Sequence, residues 1–345
     1  MRVLVTGGVG YIGSHTCVEL LEAGHEVFVI DNLSNGHKVA LDGIQNITNC
    51  NLAFKNIDIR ETKSLHKVFS TFKPDAVIHF AGLKAVGESV VEPIMYYDVN
   101  VGGSISLLDA MTKAGCNCII FSSSATVYGD PEYLPYDELH PTNPINPYGR
   151  TKLMVEEIIS DWVKVSAKRK GIALRYFNPV GAHRSGKIGE KPNGVPNNLM
   201  PYLAQVAIGQ RKYLNIFGSD YKTKDGTGLR DYIHIVDLAE AHVKALENQK
   251  NMTSYEVINI GCGVGVSVLE LIKNFESVSG VELKYKFIER RPGDLPAFWA
   301  NASKAYKLFG WKPKLNVLQM CEDTWRWQKN NLKRFNSKEQ ISKNR

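Results

Sequence analysis

The stretch Val3-Leu4-Val5-Thr6-Gly7-Gly8-Val9-Gly10-Tyr11-Ile12-Gly13 decides the fold. Three apolar residues and a threonine run into a glycine-rich turn, and a helical pattern from about Ile12 to Glu22 follows at once. A short buried-type strand, a glycine turn and a helix in that order open a βαβ unit. Glycines at Gly7, Gly10 and Gly13 let the backbone approach a bulky anion closely. The helix start adds free N–H groups and the positive end of the helix dipole.

Outward from that stretch the rhythm repeats. Val27–Ile30, Ala76–Phe80, Cys118–Phe121 and Ile172–Tyr176 read as further strands. The segments between them carry helical apolar patterns, through Leu65, Val68 and Phe69, through Leu107, Leu108 and Met111, and through Val155 and Ile159. Alternating strands and helices imply a parallel sheet covered on both faces, and right-handed crossovers make it doubly wound. Residues 1–180 are therefore expected to form an α/β domain of Rossmann type. After Gly181 the rhythm breaks: Gly and Pro thicken up to Pro201, helical pieces follow at Met200–Ile208 and Asp237–Glu247, and Val257–Ile260 reads as one more strand. Residues 181–335 are expected to form a smaller C-terminal α/β lobe facing a substrate and partly interleaved with the first domain. The polar end, 336–345, is expected to be a disordered tail.

Composition narrows the function classes. Of 345 residues, 43% are hydrophobic and 22% charged, which is ordinary for a globular chain. The net charge of +7 comes from scattered lysines and a basic end, with no basic stripe interleaved with aromatics, so nucleic acid is not an expected partner. No apolar run approaches the roughly 18–20 residues of a membrane span. The apolar start is cut off by glycines too early to be a signal peptide. These features suggest a cytosolic chain, in which the six cysteines are expected as free thiols. Cys116-x-Cys118 lacks the second ligand pair of a zinc site, so no metal is expected.

Asp31 ends the second strand, 18 residues after Gly13. An acid there accepts hydrogen bonds from adenosine ribose hydroxyls. Asn32 and Leu33 follow it, with no arginine for a 2′-phosphate, which favours NAD over NADP. Asp58, after Phe54–Ile57, reads equally as a group for the adenine edge and as a plain turn carboxylate. Tyr148-Gly149-Arg150-Thr151-Lys152 puts a tyrosine and a lysine on one face of a helix. A tyrosine that acts as a base near pH 7 must lose about three pKa units, or roughly 4 kcal/mol. A nearby ammonium and a positively charged nicotinamide are the groups that can supply it. Ser124, in Ser122-Ser123-Ser124, follows a strand and can hydrogen-bond the same substrate hydroxyl. On the residues alone the chemistry is alcohol oxidation, with Tyr148 removing the hydroxyl proton as hydride leaves for NAD.

Longer segments carry a closer resemblance: Phe80–Ser89, Ser122–Gly129, Arg175-Tyr176-Phe177-Asn178-Pro179, Asn197–Pro201, Gly226–His234 and Arg291-Pro292-Gly293-Asp294. Together with the glycine loop, Ser124 and Tyr148/Lys152 they resemble the UDP-glucose 4-epimerase family of extended short-chain dehydrogenase/reductases, from Met1 to about Phe335. The resemblance implies tightly held NAD, a transient 4-keto sugar and inversion at C4 of UDP-glucose and UDP-galactose, in a cytoplasmic homodimer. Tyr11, Ile12, Asn32, Ile59, Phe80, Ala81, Gly82, Lys84, Asn100, Ser122, Tyr176 and Phe177 are implied as cofactor contacts besides the loop glycines, Asp31, Asp58, Tyr148 and Lys152. Lys84, Ser124, Tyr148, Phe177, Asn178, Asn198, Leu199, Asn215, Phe217, Arg230, Arg291 and Asp294 are implied as substrate contacts, the two arginines suiting a diphosphate. Phe298 is implied to face the sugar's 2-substituent, where a large aromatic goes with plain hexoses. Three positions depart from the usual pattern: Val99 where asparagine is common, Arg150 for lysine and Pro292 for glutamate. Other members of the same fold remain as alternatives. A 4,6-dehydratase needs an Asp-Glu pair where this chain has Ala125-Thr126. A UDP-glucuronate decarboxylase, or a regulator that binds NAD without catalysis, is the remaining alternative.

Overall fold

The computed structural model describes residues 1–196, 198–291 and 294–342, the last of these by backbone alone beyond Asn331. The strands, in chain order, are β1 (Arg2–Thr6), β2 (Glu26–Asp31), β3 (Ala53–Asn56), β4 (Ala76–His79), β5 (Cys118–Ser124), β6 (Lys170–Tyr176), β7 (Asn178–Val180), β8 (Leu214–Phe217), β9 (Leu229–His234), β10 (Tyr255–Ile260), β11 (Gly265–Ser267), β12 (Tyr285–Ile288) and β13 (Ala297–Phe298). The α-helices are α1 (Tyr11–Glu22), α2 (Val39–Thr48), α3 (Thr62–Phe72), α4 (Val86–Val91), α5 (Pro93–Tyr96), α6 (Gly103–Ala114), α7 (Pro147–Lys164), α8 (Leu199–Ala207), α9 (Ile235–Asn248), α10 (Val268–Ser279), α11 (Ser303–Phe309) and α12 (Val317–Ser342).

Seven strands form one sheet in the order β10-β6-β5-β4-β1-β2-β3, and every neighbouring pair is parallel. Period-two alternation sends successive side chains to opposite faces. Val3, Val5, Ile78, Ile120 and Leu174 enter one core, and Leu4, Val77, Ile119, Phe121 and Ala173 enter the other. Helices α1 and α9 pack together on the first face, and α3 and α6 on the second. This is the expected doubly wound Rossmann-type α/β architecture. The strand order reverses between β1 and β4, and the crevice at the C-terminal ends beside that reversal is where such sheets take ligands.

The chain leaves this sheet at Phe177. β7 already pairs with β9 in a second sheet of order β11-β9-β13. The chain then comes back: α9 and β10, in the later half, complete the first domain. A parallel pair, β12 with β8, and helices α8, α10 and α12 build the second lobe around Leu203, Ile216, Leu271, Phe275 and Met320. A small aromatic cluster of Tyr128, Tyr136 and Phe177, with Phe298 packed on it, fills the seam. The final helix, α12, extends to Ser342. No Gly or Pro follows Pro313, so nothing local stops a helix there. Residues 343–345 lie outside the described residues.

Candidate active site

The glycine loop forms because its turn excludes Cβ atoms. Gly7 adopts φ +70°, and a Cβ there would lie 2.7 Å from the Ala81 amide nitrogen. A Cβ on Gly13 would lie 2.3 Å from the Gly7 carbonyl oxygen. Only glycine lets β1, the loop and α1 close up in this way. Gly10 caps α1 with extended backbone and no side-chain hydrogen bond, and the first turn of α1 has no acid. Its N–H groups are therefore available to an anion.

These groups open on a cavity of about 650 Å³ running across the strand ends. Gly7, Gly10, Tyr11, Ile12, Gly13, Asp31, Asn32, Ile59, Phe80, Ala81, Gly82, Lys84, Ser122, Tyr148, Lys152, Tyr176 and Asn198 all line it. The structure thus brings together most of the residues expected to contact a cofactor. Asp31 is buried, and its two oxygens accept from the backbone N–H of Val9 at 3.2 Å and of Leu33 at 2.8 Å. Burial raises its pKa, and those two bonds work the other way. Each oxygen keeps a lone pair for a ligand hydroxyl.

Three expected contacts are placed differently, and the first, Phe177, is buried in the aromatic cluster of the seam. Asp58 stands beside the cavity between the lining residues Ile57 and Ile59. Its carboxylate is held by Arg60 and by the Asn32 amide at 2.9 Å, and the Arg60 guanidinium keeps it well below the usual carboxylate range. Asn100 is buried behind the wall, where its side chain bonds both backbone groups of Leu83 and the Thr151 hydroxyl. Its neighbour Val99 lines the cavity instead. Both sit on a π-helical turn, Tyr97–Gly102, that rotates the chain between α5 and α6.

The chemical groups meet at the end of β5 and the start of α7. Asn146 caps α7 by accepting from Gly149 N–H at 2.8 Å, and Pro147 takes the first helical position. A Cβ on Gly149 would lie 2.8 Å from the Thr126 carbonyl oxygen, so glycine allows α7 to press onto the turn after Ser124. Tyr148 is buried, which pushes its phenol up to about 12, and the Ser124 hydrogen bond works against that rise. Ser124 Oγ also accepts from the Thr126 hydroxyl at 2.9 Å. Lys152 Nζ donates to the Ser122 carbonyl at 2.7 Å and lies 5.8 Å from the Tyr148 ring centre. Burial lowers Lys152 to about 8, and the Glu156 charge acts to raise it. Glu156 itself is buried against Arg175 and Ser123, an ion pair joining α7 to β6 that sequence reading did not pick out. Tyr176 bonds Ser122 through its hydroxyl.

The residues expected to hold the sugar nucleotide lie mostly on the second lobe. Arg230 pairs with Asp294 at 3.0 Å and donates to the Leu295 carbonyl, so it does not pair with its neighbour Asp231. Asp231 points inward and accepts from the backbone N–H groups of Cys262, Gly263 and Ala300. Arg291 lies over the Phe217 ring at 3.7 Å. Asn178 donates to the Asp231 carbonyl at 3.1 Å, Leu199 starts α8, and Asn215 Oδ1 is buried with no hydrogen-bond partner among the described residues. Phe298 packs between Phe177 and Tyr136. Pro292 lies outside the described residues. One wall was missed by sequence reading: Lys187–Asn193 spans the cavity, and Glu190 accepts from Lys84 at 3.3 Å and from Asn198 at 3.0 Å. The only signal for that wall was the density of Gly and Pro after Gly181.

Residues 4–324 match the family model described as GDP-mannose 4,6 dehydratase. The UDP-glucose 4-epimerase of Bacillus subtilis (strain 168) is 54% identical over 339 residues, which is 98% of this chain and 100% of that protein. The chain belongs to the UDP-glucose 4-epimerase family, whose members are NAD-dependent isomerases. A solved epimerase of this family from Stenotrophomonas maltophila, with bound NAD and formylated UDP-arabinopyranose, superposes with a TM-score of 0.95 at 47% identity, covering 97% of this chain and 99% of its own. The epimerase from Bifidobacterium longum, in complex with NAD+ and UDP, superposes with a TM-score of 0.93 at 47% identity, over 96% and 99% of the two chains.

Proposed function

We propose that this protein interconverts UDP-glucose and UDP-galactose by inverting C4, with Tyr148 as the base and acid. One observation carries the reading: a single cavity runs from the side-chain-free glycine loop to the buried Tyr148–Lys152 face. The glycines let the loop close tightly onto the start of α1, whose free N–H groups are available to a pyrophosphate, and Asp31 stands at the ribose position, so the residues fit NAD. Gly7–Gly13 and the α1 N-terminus would hold its pyrophosphate, Asp31 and Asn32 its adenosine, and Lys152, Tyr176 and Phe177 its nicotinamide end. When bound, NAD supplies the redox chemistry, accepting a hydride from C4 and giving it back to the opposite face.

The rest of the work falls to the chain. Tyr148 takes the C4 hydroxyl proton and later returns it to the oxygen of the inverted centre. Ser124 orients that hydroxyl beside it. With its phenol near 12, Tyr148 needs positive charge close by in order to ionise, and Lys152 and oxidised NAD both carry it. Arg230 and Arg291 take the diphosphate, and Lys84 approaches the same region from the first domain. The residues after Ser124 are Ala125 and Thr126, so the chain has no acid–base pair there for a dehydratase elimination. Phe298 closes the pocket against a 2-acetamido group. Comparable turnover of UDP-N-acetylglucosamine and UDP-glucose would remove that role.

We further propose a homodimer in the cytoplasm. Val90, Val91, Ile94 and Ile105 are more than half exposed on α4, α5 and α6, an apolar surface that a second copy would cover. Sedimentation at micromolar concentration should give twice the chain mass, and a monomer would overturn it. Among the described residues no helix is long and apolar enough to cross a membrane. The activity is tested by supplying UDP-galactose and reading UDP-glucose with a coupled dehydrogenase. Turnover is expected without added reductant, and its absence from NAD-loaded protein would refute the assignment.

A further inference from the structure

We infer that Tyr136 is a positioning residue for sugar selection, acting as the wall that keeps Phe298 in place. The inference rests on the reading of Phe298 given above. Phe298 is only partly buried, and its strand, β13, is two residues long, pairing with Leu229 and Arg230 of β9. So short a strand does little by itself to hold an aromatic ring in one place. The ring is confined instead by two neighbours, Phe177 at 4.8 Å and Tyr136 at 5.0 Å between ring centres.

Tyr136 is itself tightly packed. It is fully buried, its ring stacks on Tyr128 at 5.0 Å, and His140 lies 4.7 Å away. Its hydroxyl donates to the Gly129 carbonyl at 2.8 Å. Its backbone also ties down the segment after Phe298: Tyr136 N–H donates to the Trp299 carbonyl at 3.0 Å, and Asn301 N–H donates to the Tyr136 carbonyl at 2.6 Å. The 125–136 segment of the first domain therefore fixes both the backbone and the ring of a residue in the second lobe. Without the Tyr136 ring, Phe298 gains a space to retreat into, and the pocket opens to a bulkier 2-substituent.

The test is the ratio of kcat/KM for UDP-N-acetylglucosamine to that for UDP-glucose, measured on the NAD-loaded protein. Tyr136→Leu, or the milder Tyr136→Met, should raise the ratio about tenfold, the scale set by a few methylenes of pocket space. Tyr136→Phe keeps the ring and should leave the ratio within about twofold to threefold of the parent. General structural damage would lower turnover of both substrates and would not raise the ratio. Phe298→Gly separates the two ideas. If it raises the ratio while Tyr136→Leu and Tyr136→Met do not, the role of Tyr136 is overturned and that of Phe298 stands. If Phe298→Gly leaves the ratio unchanged, both fall.

Discussion

At the cofactor end of the site, position is set by backbone: strand ends, a glycine turn and the N-terminus of α1 face the cavity. At the proposed sugar end, position is set by side chains leaning on other side chains, with Arg291 over Phe217, Arg230 on Asp294 and Phe298 on Tyr136. A backbone-built site tolerates almost no added atom, because its segments close up where a Cβ would collide with backbone. A side-chain-built site tolerates added bulk more readily and loses function when a charge or a supporting ring is removed. Tyr148 sits where the two halves meet, on a first-domain helix whose register depends on close approach at Gly149.

The largest effect should therefore appear at the junction. Tyr148→Phe is expected to lower kcat by about a thousandfold, the usual range for loss of a positioned acid–base group, with NAD content unchanged in the purified protein. Near-normal turnover would remove Tyr148 from its role. Next comes the backbone-built end. Gly13→Ala places a methyl 2.3 Å from the Gly7 carbonyl, and should yield protein with little bound NAD and activity down roughly a hundredfold. Full cofactor content in that variant would mean that the loop is less rigid than the comparison requires. At the side-chain end, Arg230→Met should raise KM for UDP-glucose about tenfold to a hundredfold, with kcat much less affected, as expected for lost charge-assisted bonds to a ligand. An equal fall in kcat would instead place Arg230 in the chemistry. The smallest effect is on pH. Burial lowers Lys152 from its ordinary 10.5 to about 8, so its cation is present below that value and is lost as pH rises through it. Turnover should decline roughly severalfold from pH 8 to 9, because Tyr148 then loses a charge that favours its ionised form. A flat profile there would mean that the bound cofactor alone provides the positive charge.

Much of the first domain was legible in the chain. The glycine loop, Asp31 and the Tyr148/Lys152 spacing are local patterns, and local patterns survive whatever packs around them. Asn100 shows the limit. It was expected at the cofactor, yet a π-helical turn places Val99 on the cavity and spends Asn100 on Leu83 and Thr151. No periodicity in 97–102 announces that turn. Glu190 was invisible for a different reason: its partners Lys84 and Asn198 come from separate lobes, and Lys84 is 106 residues away.

By itself the sequence determined the doubly wound sheet and pointed to the proposed anion cradle and the proposed proton-moving pair, because each depends on residue type at short spacing. The tertiary structure decided that the chain crosses to the second lobe at Phe177, that β10 returns to the first sheet, and that Tyr136 stands behind Phe298. Those depend on contacts between segments far apart in the chain, where many partners are compatible with the same pattern and only the packed fold selects one.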